Sequence, residues 1–334
     1  MEKVCLILMK GISCASKSTL VPVLEDKYKA KVLSSDTLRK ELDLSDMDSS
    51  VFKIITEKTN EYLSSGISVI VDATNLTAKK HNHYKSIANK HKAHLICHYV
   101  ITHTDLWERN AQSRIDTLWT NYSMDKMFEI RQSMYQALRF PTLNIFDEIH
   151  YHINDVEFNE DNINSFMDYY DENKDLFLND VTSFLKPLYK NSLLLGVLPE
   201  VYKMYGFDQQ NKNHTLTLEK HTFKLCDNLE EKTEVLVWAG LLHDVGKLVK
   251  GIKQEKEDGT CSYIGHAGAS TELTMCILTR LGFSISFAEE VANIVNLHMY
   301  LPYEGKLKQS KINQLGESTY NQLLKFREAD KTAK

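Results

Sequence analysis

The apolar run Val4-Cys5-Leu6-Ile7-Leu8-Met9 leads, through Lys10, into Gly11-Ile12-Ser13-Cys14-Ala15-Ser16-Lys17-Ser18-Thr19 and then into the helix-compatible segment TLVPVLEDKY. An uninterrupted apolar strand buries both of its faces, which requires helices on both sides of a mostly parallel sheet. Residues 31–34, 67–71 and 94–100 repeat the pattern between amphipathic stretches, so positions 1–155 are expected to form an α/β domain, a parallel sheet flanked by helices. From about Tyr202 onward the apolar period stays near 3.6 with no convincing strand, which predicts an all-α domain over 206–334. The intervening 156–205 include an Asn- and acid-rich stretch with aromatic residues at near-helical spacing, expected to be a helical connector.

Two domains suit the length, since 334 residues exceed what a single hydrophobic core commonly serves. The N-terminal apolar run is too short for a membrane span and lacks a cleavage site, so no membrane association is expected. Six cysteines without a CxxC pair argue against a disulfide framework or a zinc knuckle and fit a reducing, cytoplasmic setting. The net charge of −5 is concentrated in the middle: residues 156–213 carry 5 basic against 10 acidic side chains, while the flanking segments are nearly balanced. A nucleic-acid substrate is therefore not excluded, although no long basic stripe of the kind that dominates duplex binding is present.

The loop after the first strand has the form of a phosphate cradle. Consecutive backbone N–H groups from Gly11 through Ser16 to Thr19 and the dipole of the following helix would face a nucleoside triphosphate, with Lys17 on its β and γ phosphates and Ser18 on Mg²⁺. Ser16 stands where the usual pattern has its second glycine, at a position where glycine adopts the required backbone most easily. After the strand KVLSS, Asp36 is placed to accept the proton of an attacking hydroxyl, and Arg39 to hold an acceptor phosphate. A second strand-end acid, Asp72, follows ISVIV, and Arg109 and Arg114 lie on an amphipathic helix that would close over the transferring phosphoryl group.

Over residues 3 to 155 the order of phosphate loop, SSDTLR, VDATNL, RNxxxR and Phe140-Pro141 resembles the polynucleotide kinase family of P-loop phosphotransferases. The resemblance implies transfer of the ATP γ-phosphate to a 5′-hydroxyl of RNA or DNA. Lys17 and Ser18 would then bind phosphate and metal, Asp36 would be the general base, Arg39 the acceptor-phosphate ligand and Arg114 a lid arginine. Lys79 and Lys80 stand where the family commonly has arginines.

The second domain carries Leu241-Leu242-His243-Asp244-Val245-Gly246-Lys247 at the end of an apolar run. His221, His266, His298 and Asp330 each lie on the apolar face of their own predicted helix, beside Leu218 and Leu225, Leu273 and Ile277, Val291 and Val295, and Leu323 and Phe326 respectively. Burying that many imidazoles and carboxylates is costly unless they satisfy one another, which a shared centre of one or two divalent metals achieves. Imidazole mixed with carboxylate favours Mn, Fe, Co, Zn or Mg, and Asp244 has the two oxygens needed to bridge two ions. The order H…HD…H…H…D resembles the HD phosphohydrolase superfamily over about 206–334, and FDQQNKNHTLTLEKHT, YIGHAGAS and FREADKTAK are similar to the module attached to some tRNA nucleotidyltransferases. That implies metal ligands at His221, His243, Asp244 and Asp330, a second site or phosphate contacts at His266 and His298, and a phosphate or carboxylate partner for Lys247. His214 is read as a substrate contact.

Together these readings lead to an expectation of an RNA end-healing enzyme. Its kinase would act on 5′-hydroxyl ends and its hydrolase on 2′,3′-cyclic or 3′-phosphate ends of single-stranded RNA or DNA, nicked tRNA among them, before a separate ligase seals the break. The alternatives are a nucleoside or other small-molecule kinase fused to an HD nucleotidase, and a degenerate nucleotide-binding module that regulates the hydrolase.

Overall fold

The computed structural model describes residues 3–45, 48–118, 122–211, 215–301 and 307–333, the side chains at 118, 310, 311 and 314 excepted. Its chain contacts divide into two units, the first comprising residues 1–102, 106–121 and 137–154, the second 103–105, 122–136 and 155–334.

The first unit contains strands β1 (Cys5–Lys10), β2 (Lys31–Ser34), β3 (Val69–Asp72), β4 (His94–Thr102) and β5 (Glu148–Asn154). They form one parallel sheet in the order β2-β3-β1-β4-β5. Helices α1 (Lys17–Tyr28), α2 (Ser35–Glu41), α3 (Val51–Ser64), α4 (Ala78–His91) and α5 (Thr104–Leu118) connect or flank these strands. Every residue of β1 is buried, as its continuous apolar sequence requires. The chain leaves β1 toward β2 on one side and reaches β4 on the other, so the C-terminal end of β1 lies at the topological switch point where ligands of such sheets bind.

Helix α6 (Met124–Ala137), although it precedes β5 in the chain, packs within the second unit. It is followed there by α7 (Glu160–Glu172), α8 (Lys174–Asn179), α9 (Val181–Lys190), α10 (Leu193–Val197), α11 (Pro199–Tyr202), α12 (Leu218–Asn228) and α13 (Glu234–Leu242). After a 3-10 turn, Val245–Leu248, come α14 (His266–Arg280), α15 (Ile285–Leu297), α16 (Gln309–Leu315) and α17 (Glu317–Thr332). Residues 268–278 of α14 are all buried, and Gly268 makes this feasible: a Cβ there would sit 2.2 Å from the backbone oxygen of Tyr135 on α6. The second unit is not purely helical, since β6 (Gln254–Glu255) and β7 (Cys261–Ser262) form a small antiparallel hairpin. Its turn is closed by the Lys256 N–H donating to the Thr260 carbonyl at 2.8 Å and by Gly259 at φ 74°, so turn chemistry outside the apolar periodicity makes it.

A buried clasp closes the start of the second unit. Arg280 donates from Nε and Nη2 to both oxygens of Asp155, at 2.9 and 3.2 Å, and from Nη2 to Glu200 at 2.8 Å, while its guanidinium lies 3.7 Å from the Phe158 ring centroid. Burial works against ionisation of Glu200, but His103 and Arg280 outweigh it and hold the carboxyl far below its ordinary 4.5, at about 2. A depressed carboxylate contributes stability above its unfolded pKa and loses it as the pH falls toward the folded value, which amounts to about 3 kcal/mol here. Urea melts of wild type and Glu200→Gln should therefore differ by about that much at pH 7 and by clearly less at pH 3; an equal gap at both would show that Glu200 ionisation does not matter to stability.

Candidate phosphoryl-transfer and metal sites

In the first unit the loop between β1 and α1 takes the conformation that its sequence made expensive. Ser16 has φ 65° and Cys14 φ 62°, both left-handed, where a residue with a Cβ is disfavoured by roughly 1–2 kcal/mol. Helix α5 supplies the compensation. Asn110 Nδ2 donates to the Ser16 hydroxyl and the Cys14 carbonyl, each at 3.0 Å, and Trp107 Nε1 donates to the Ser13 carbonyl at 2.6 Å. Thr102 at the end of β4 donates to the Ala15 carbonyl at 3.0 Å, and Thr19 to the Ser16 carbonyl at 2.7 Å. Lys17 Nζ donates to the Ile12 carbonyl at 2.8 Å, folded over the loop, and Ser18 is exposed at the first turn of α1. Of these bonds, the one from Asn110 to the Ser16 hydroxyl is one that glycine could not accept, while the others hold the loop through its backbone carbonyls. Asn110→Ala removes two of these and should raise the KM for ATP several-fold while costing about 1–2 kcal/mol of stability; an unchanged KM would show that the loop holds its shape alone.

Asp36, in the first turn of α2, is gathered with two arginines named from the sequence. Arg114 Nη2 lies 3.3 Å from one carboxylate oxygen and Arg39 Nη1 3.6 Å from the other. The carboxylate is 61% exposed, open to an incoming hydroxyl. Arg109 is exposed, and among the described residues no contact joins it to this group. The sequence marked Asp72 as a second strand-end acid without giving it a role. It ends β3 in register with Ser34 and Met9, burial and nearby Asp36 raise its pKa, and Lys17 and Ser34 oppose the rise. Asp72 therefore faces the same volume as the phosphate lysine and the acceptor-side acid. Its position at a strand end was the only available signal.

The second unit brings together all six metal candidates. His221 comes from α12, His243 and Asp244 from the end of α13, His266 from the first turn of α14, His298 from the end of α15 and Asp330 from the last turn of α17. They fall into two groups, His221 with His243 and Asp330, and Asp244 with His266 and His298, each with ligand atoms within 4.8 Å of one another. The Asp244 carboxylate reaches both: Oδ2 lies 3.1 Å from His243 Nε2 and 3.6 Å from His221 Nε2, and Oδ1 lies 3.3 Å from His266 Nε2. Asp330 Oδ1 is 3.3 Å from His221 Nε2. His214 lies outside the described residues.

The backbone fixes which nitrogen each ring offers. Nδ1 of His221 faces the Ala333 carbonyl at 2.8 Å, His243 that of Gly240 at 2.8 Å, His266 that of Tyr263 at 2.6 Å and His298 that of Val295 at 2.7 Å. A carbonyl can only accept, so every Nδ1 is the donor and every neutral ring turns the Nε2 lone pair inward. His266 and His298 then oppose their Nε2 atoms at 3.1 Å, two lone pairs that require a cation between them. Burial lowers the pKa of both, that of His298 to about 3, which keeps the lone pairs free. Burial also opposes ionisation of Asp244, but His243 and Lys247 outweigh it and hold that carboxylate ionised well below its ordinary range. The donor set fits divalent metal ions: buried imidazoles that turn Nε2 inward, an ionised carboxylate with an oxygen toward each group, and Asp330 held at about 2 by His221 and His243 against burial.

Lys247 makes its contact to carboxylate, Nζ to Asp244 Oδ2 at 2.6 Å. Behind it stands Gln209, fully buried, whose Oε1 accepts from Lys247 at 2.8 Å while Tyr263 donates to the Gln209 carbonyl at 2.9 Å. A glutamine before the first helix gave no sequence signal for this role. Gly246 allows the 3-10 turn to press against α14, since a Cβ would lie 2.3 Å from the His266 carbonyl oxygen, and its N–H donates to Ser270 Oγ at 2.8 Å.

Comparison with known proteins covers both domains. Residues 6–133 match the AAA domain family, of its P-loop kinase-like type, and residues 212–332 match the HD domain family. This chain is a kinase-like P-loop domain fused to an HD domain. The chain is similar to the A-adding tRNA nucleotidyltransferase of Deinococcus radiodurans, 34% identical over 110 residues, which are 32% of this chain and 25% of the relative. A bifunctional uridylyltransferase/uridylyl-removing enzyme of Hydrogenovibrio crunogenus is 27% identical over 144 residues, 36% of this chain and 16% of the relative. The chain thus spans a quarter or less of the length of these relatives. Among solved structures, a candidate kinase from Chloroflexus aurantiacus is 17% identical with a TM-score of 0.39, covering 46% of this chain and 86% of that one. A sugar kinase from Janibacter sp. is 10% identical with a TM-score of 0.33, covering 46% of this chain and 85% of that one.

A kinase fold implies a nucleotide with Mg²⁺, and HD domains bind divalent metals. In the HD domain such ions supply an activated water and an electrophile for phosphate oxygens. The chain's own residues orient the imidazoles, keep Asp244 ionised and fix its position through Lys247. No helix among the described residues is long and apolar enough to cross a membrane.

Proposed function

We propose that the protein is a bifunctional RNA end-healing enzyme: an ATP-dependent polynucleotide 5′-kinase with a metal-dependent 2′,3′-cyclic phosphodiesterase and 3′-phosphatase. The observation that carries this reading is the presence in one chain of two separate phosphate sites of opposite purpose. Asp36 between Arg39 and Arg114 is suited to transfer, and Asp244 between two histidine groups is suited to hydrolysis. The similarity of part of the chain to a tRNA nucleotidyltransferase supports RNA as the shared substrate. In the kinase step the 5′-oxygen bonds to the γ-phosphorus, the bond to the β–γ bridging oxygen breaks and Asp36 takes the hydroxyl proton. In the hydrolase step water adds to the cyclic phosphate and opens it to a monoester. The partners are single-stranded RNA ends, nicked tRNA included, and a separate ligase, in a cytoplasmic setting.

The test uses an RNA carrying a 5′-hydroxyl and a 2′,3′-cyclic phosphate, incubated with ATP and Mg²⁺ or Mn²⁺ and read at both ends by mass. Gain of a 5′-phosphate together with opening of the cyclic phosphate is the expected result. Phosphorylation of free nucleosides with no action on either RNA end would instead establish a small-molecule kinase fused to a nucleotidase. Hydrolysis without any phosphoryl transfer would leave the P-loop domain as a regulatory nucleotide-binding module.

A further inference from the structure

The hairpin β6-β7 interrupts the helices of the second unit between the His243-Asp244 pair and His266, and its hydrogen bonds tie it to one loop. The Cys261 N–H donates to the Gln210 carbonyl at 2.7 Å, the Cys261 thiol to Gln210 Oε1 at 3.3 Å, and Asn211 Nδ2 to the Cys261 carbonyl at 3.2 Å. That loop, which also carries Gln209, is fixed at its start: the Phe207 N–H donates to the Met204 carbonyl at 3.0 Å, and the Leu218 N–H to the Phe207 carbonyl at 2.9 Å. Phe207 is half-buried, its ring 6.3 Å from that of buried Tyr263 and steeply inclined to it at 64°. Lys253, exposed and just before β6, sets its ammonium 5.7 Å from the Phe207 centroid. Among the described residues no ion pair holds this lysine. On the inner side, Lys247 Nζ lies 5.6 Å from the Tyr263 centroid and 2.6 Å from Asp244 Oδ2. Phe207 is therefore separated from the metal-binding carboxylate by one lysine and one ring. An exposed ammonium over a phenyl face adds little to the stability of a fold. The same pair is what single-stranded nucleic acid calls for, an aromatic face for a base and a cation for the adjoining phosphate.

We propose that Phe207 and Lys253 form a nucleotide subsite of the HD domain. The base of the nucleotide on the 5′ side of the reacting end stacks on Phe207 in place of the ammonium, and Lys253 turns to the phosphate that links this nucleotide to the terminal one. The domain thereby selects a polynucleotide end over a free mononucleotide. This deepens the reading of the HD domain as a hydrolase of RNA ends and rests on it. The hairpin gains a role in turn, since it carries the lysine to the ring.

The full chain with Mn²⁺ is assayed on a trinucleotide and on a mononucleotide, each ending in a 2′,3′-cyclic phosphate. Phe207→Leu keeps an apolar contact with Tyr263 and removes the stacking face. Its KM for the trinucleotide should rise about 5- to 100-fold, with kcat and the KM for the cyclic mononucleotide unchanged, and Phe207→Trp should restore the wild-type value. Lys253→Met, a change at the surface, should raise the trinucleotide KM several-fold and lower the slope of log KM against log salt by about 0.7, one phosphate contact on a single strand. Equal trinucleotide KM values in wild type and both variants, with the cyclic phosphate still opened, would overturn the subsite and leave the hydrolase reading standing. A second measurement needs no turnover: the tryptophan emission of Phe207→Trp, less that of wild type, titrated with a trinucleotide ending in a 3′-hydroxyl. Saturable quenching, weakened when Lys253→Met is added, is the expected result. The same quenching in a protein inactive on cyclic phosphates would uphold the subsite and remove the hydrolase reading. Emission that the trinucleotide leaves unchanged would remove the subsite, whatever the domain hydrolyses.

Discussion

Asp244→Ala should abolish hydrolysis of the 2′,3′-cyclic phosphate by the HD domain, on the order of 1,000-fold or more, while leaving 5′ phosphorylation intact. Its carboxylate is the one side chain that reaches both histidine groups, 3.1 Å from His243 and 3.3 Å from His266. Removing it takes a ligand from each group, leaves the Lys247 ammonium buried against Gln209 and the Tyr263 ring, and strips the negative charge that would balance two cations. Asp244→Asn is the informative companion. It keeps the shape and one oxygen but not the charge, so its loss of activity should be nearly as large, and its loss of bound metal, counted by atomic emission after dialysis, should separate charge from packing. Retained hydrolysis in either folded variant would mean that the reaction does not use this centre.

Asp36→Ala carries the second large effect. If Asp36 takes the acceptor proton, phosphoryl transfer should fall about 100- to 10,000-fold in kcat, with ATP binding and HD hydrolysis unchanged. The variant should fold normally, because the carboxylate is 61% exposed and its ion pairs are long and solvent-screened. A loss confined to KM would instead make Asp36 a positioning residue for Arg39 and Arg114. The neighbouring Asp72 supplies a control: it ends β3 near Lys17, and its substitution should impair metal-nucleotide binding before it impairs the acceptor. Equal losses of acceptor and nucleotide affinity in both variants would show that the two acids are not divided between donor and acceptor.

Local patterns carried a large part of this protein. The unbroken apolar run of β1 and the loop after it specified a buried parallel strand with a phosphate cradle at its end, and the 3.6-residue period specified a helical second part. His221, His266, His298 and Asp330 were legible because each is polar on an otherwise apolar face, and His243 and Asp244 because they form an adjacent pair at the end of an apolar run. What was not legible depended on partners distant in the chain. Ser16 read as a departure from the glycine pattern, whereas Asn110, 94 residues away, bonds its hydroxyl. Gln209 carried no signal because its role exists only against Lys247. Residues 122–136 follow β4 in sequence, yet they pack within the second unit because Gly268 lets the backbones of α6 and α14 approach.

By itself the chain's order of residue types determined the parallel strands, the helical character of the second part and the candidate groups for phosphate and metal, since periodicity and spacing are local properties. The tertiary structure alone decided how those groups divide: which carboxylate oxygen faces which imidazole, and which nitrogen of each ring points inward. Those outcomes depend on distances of a few ångströms between residues up to a hundred positions apart, set by the packing of whole helices and strands.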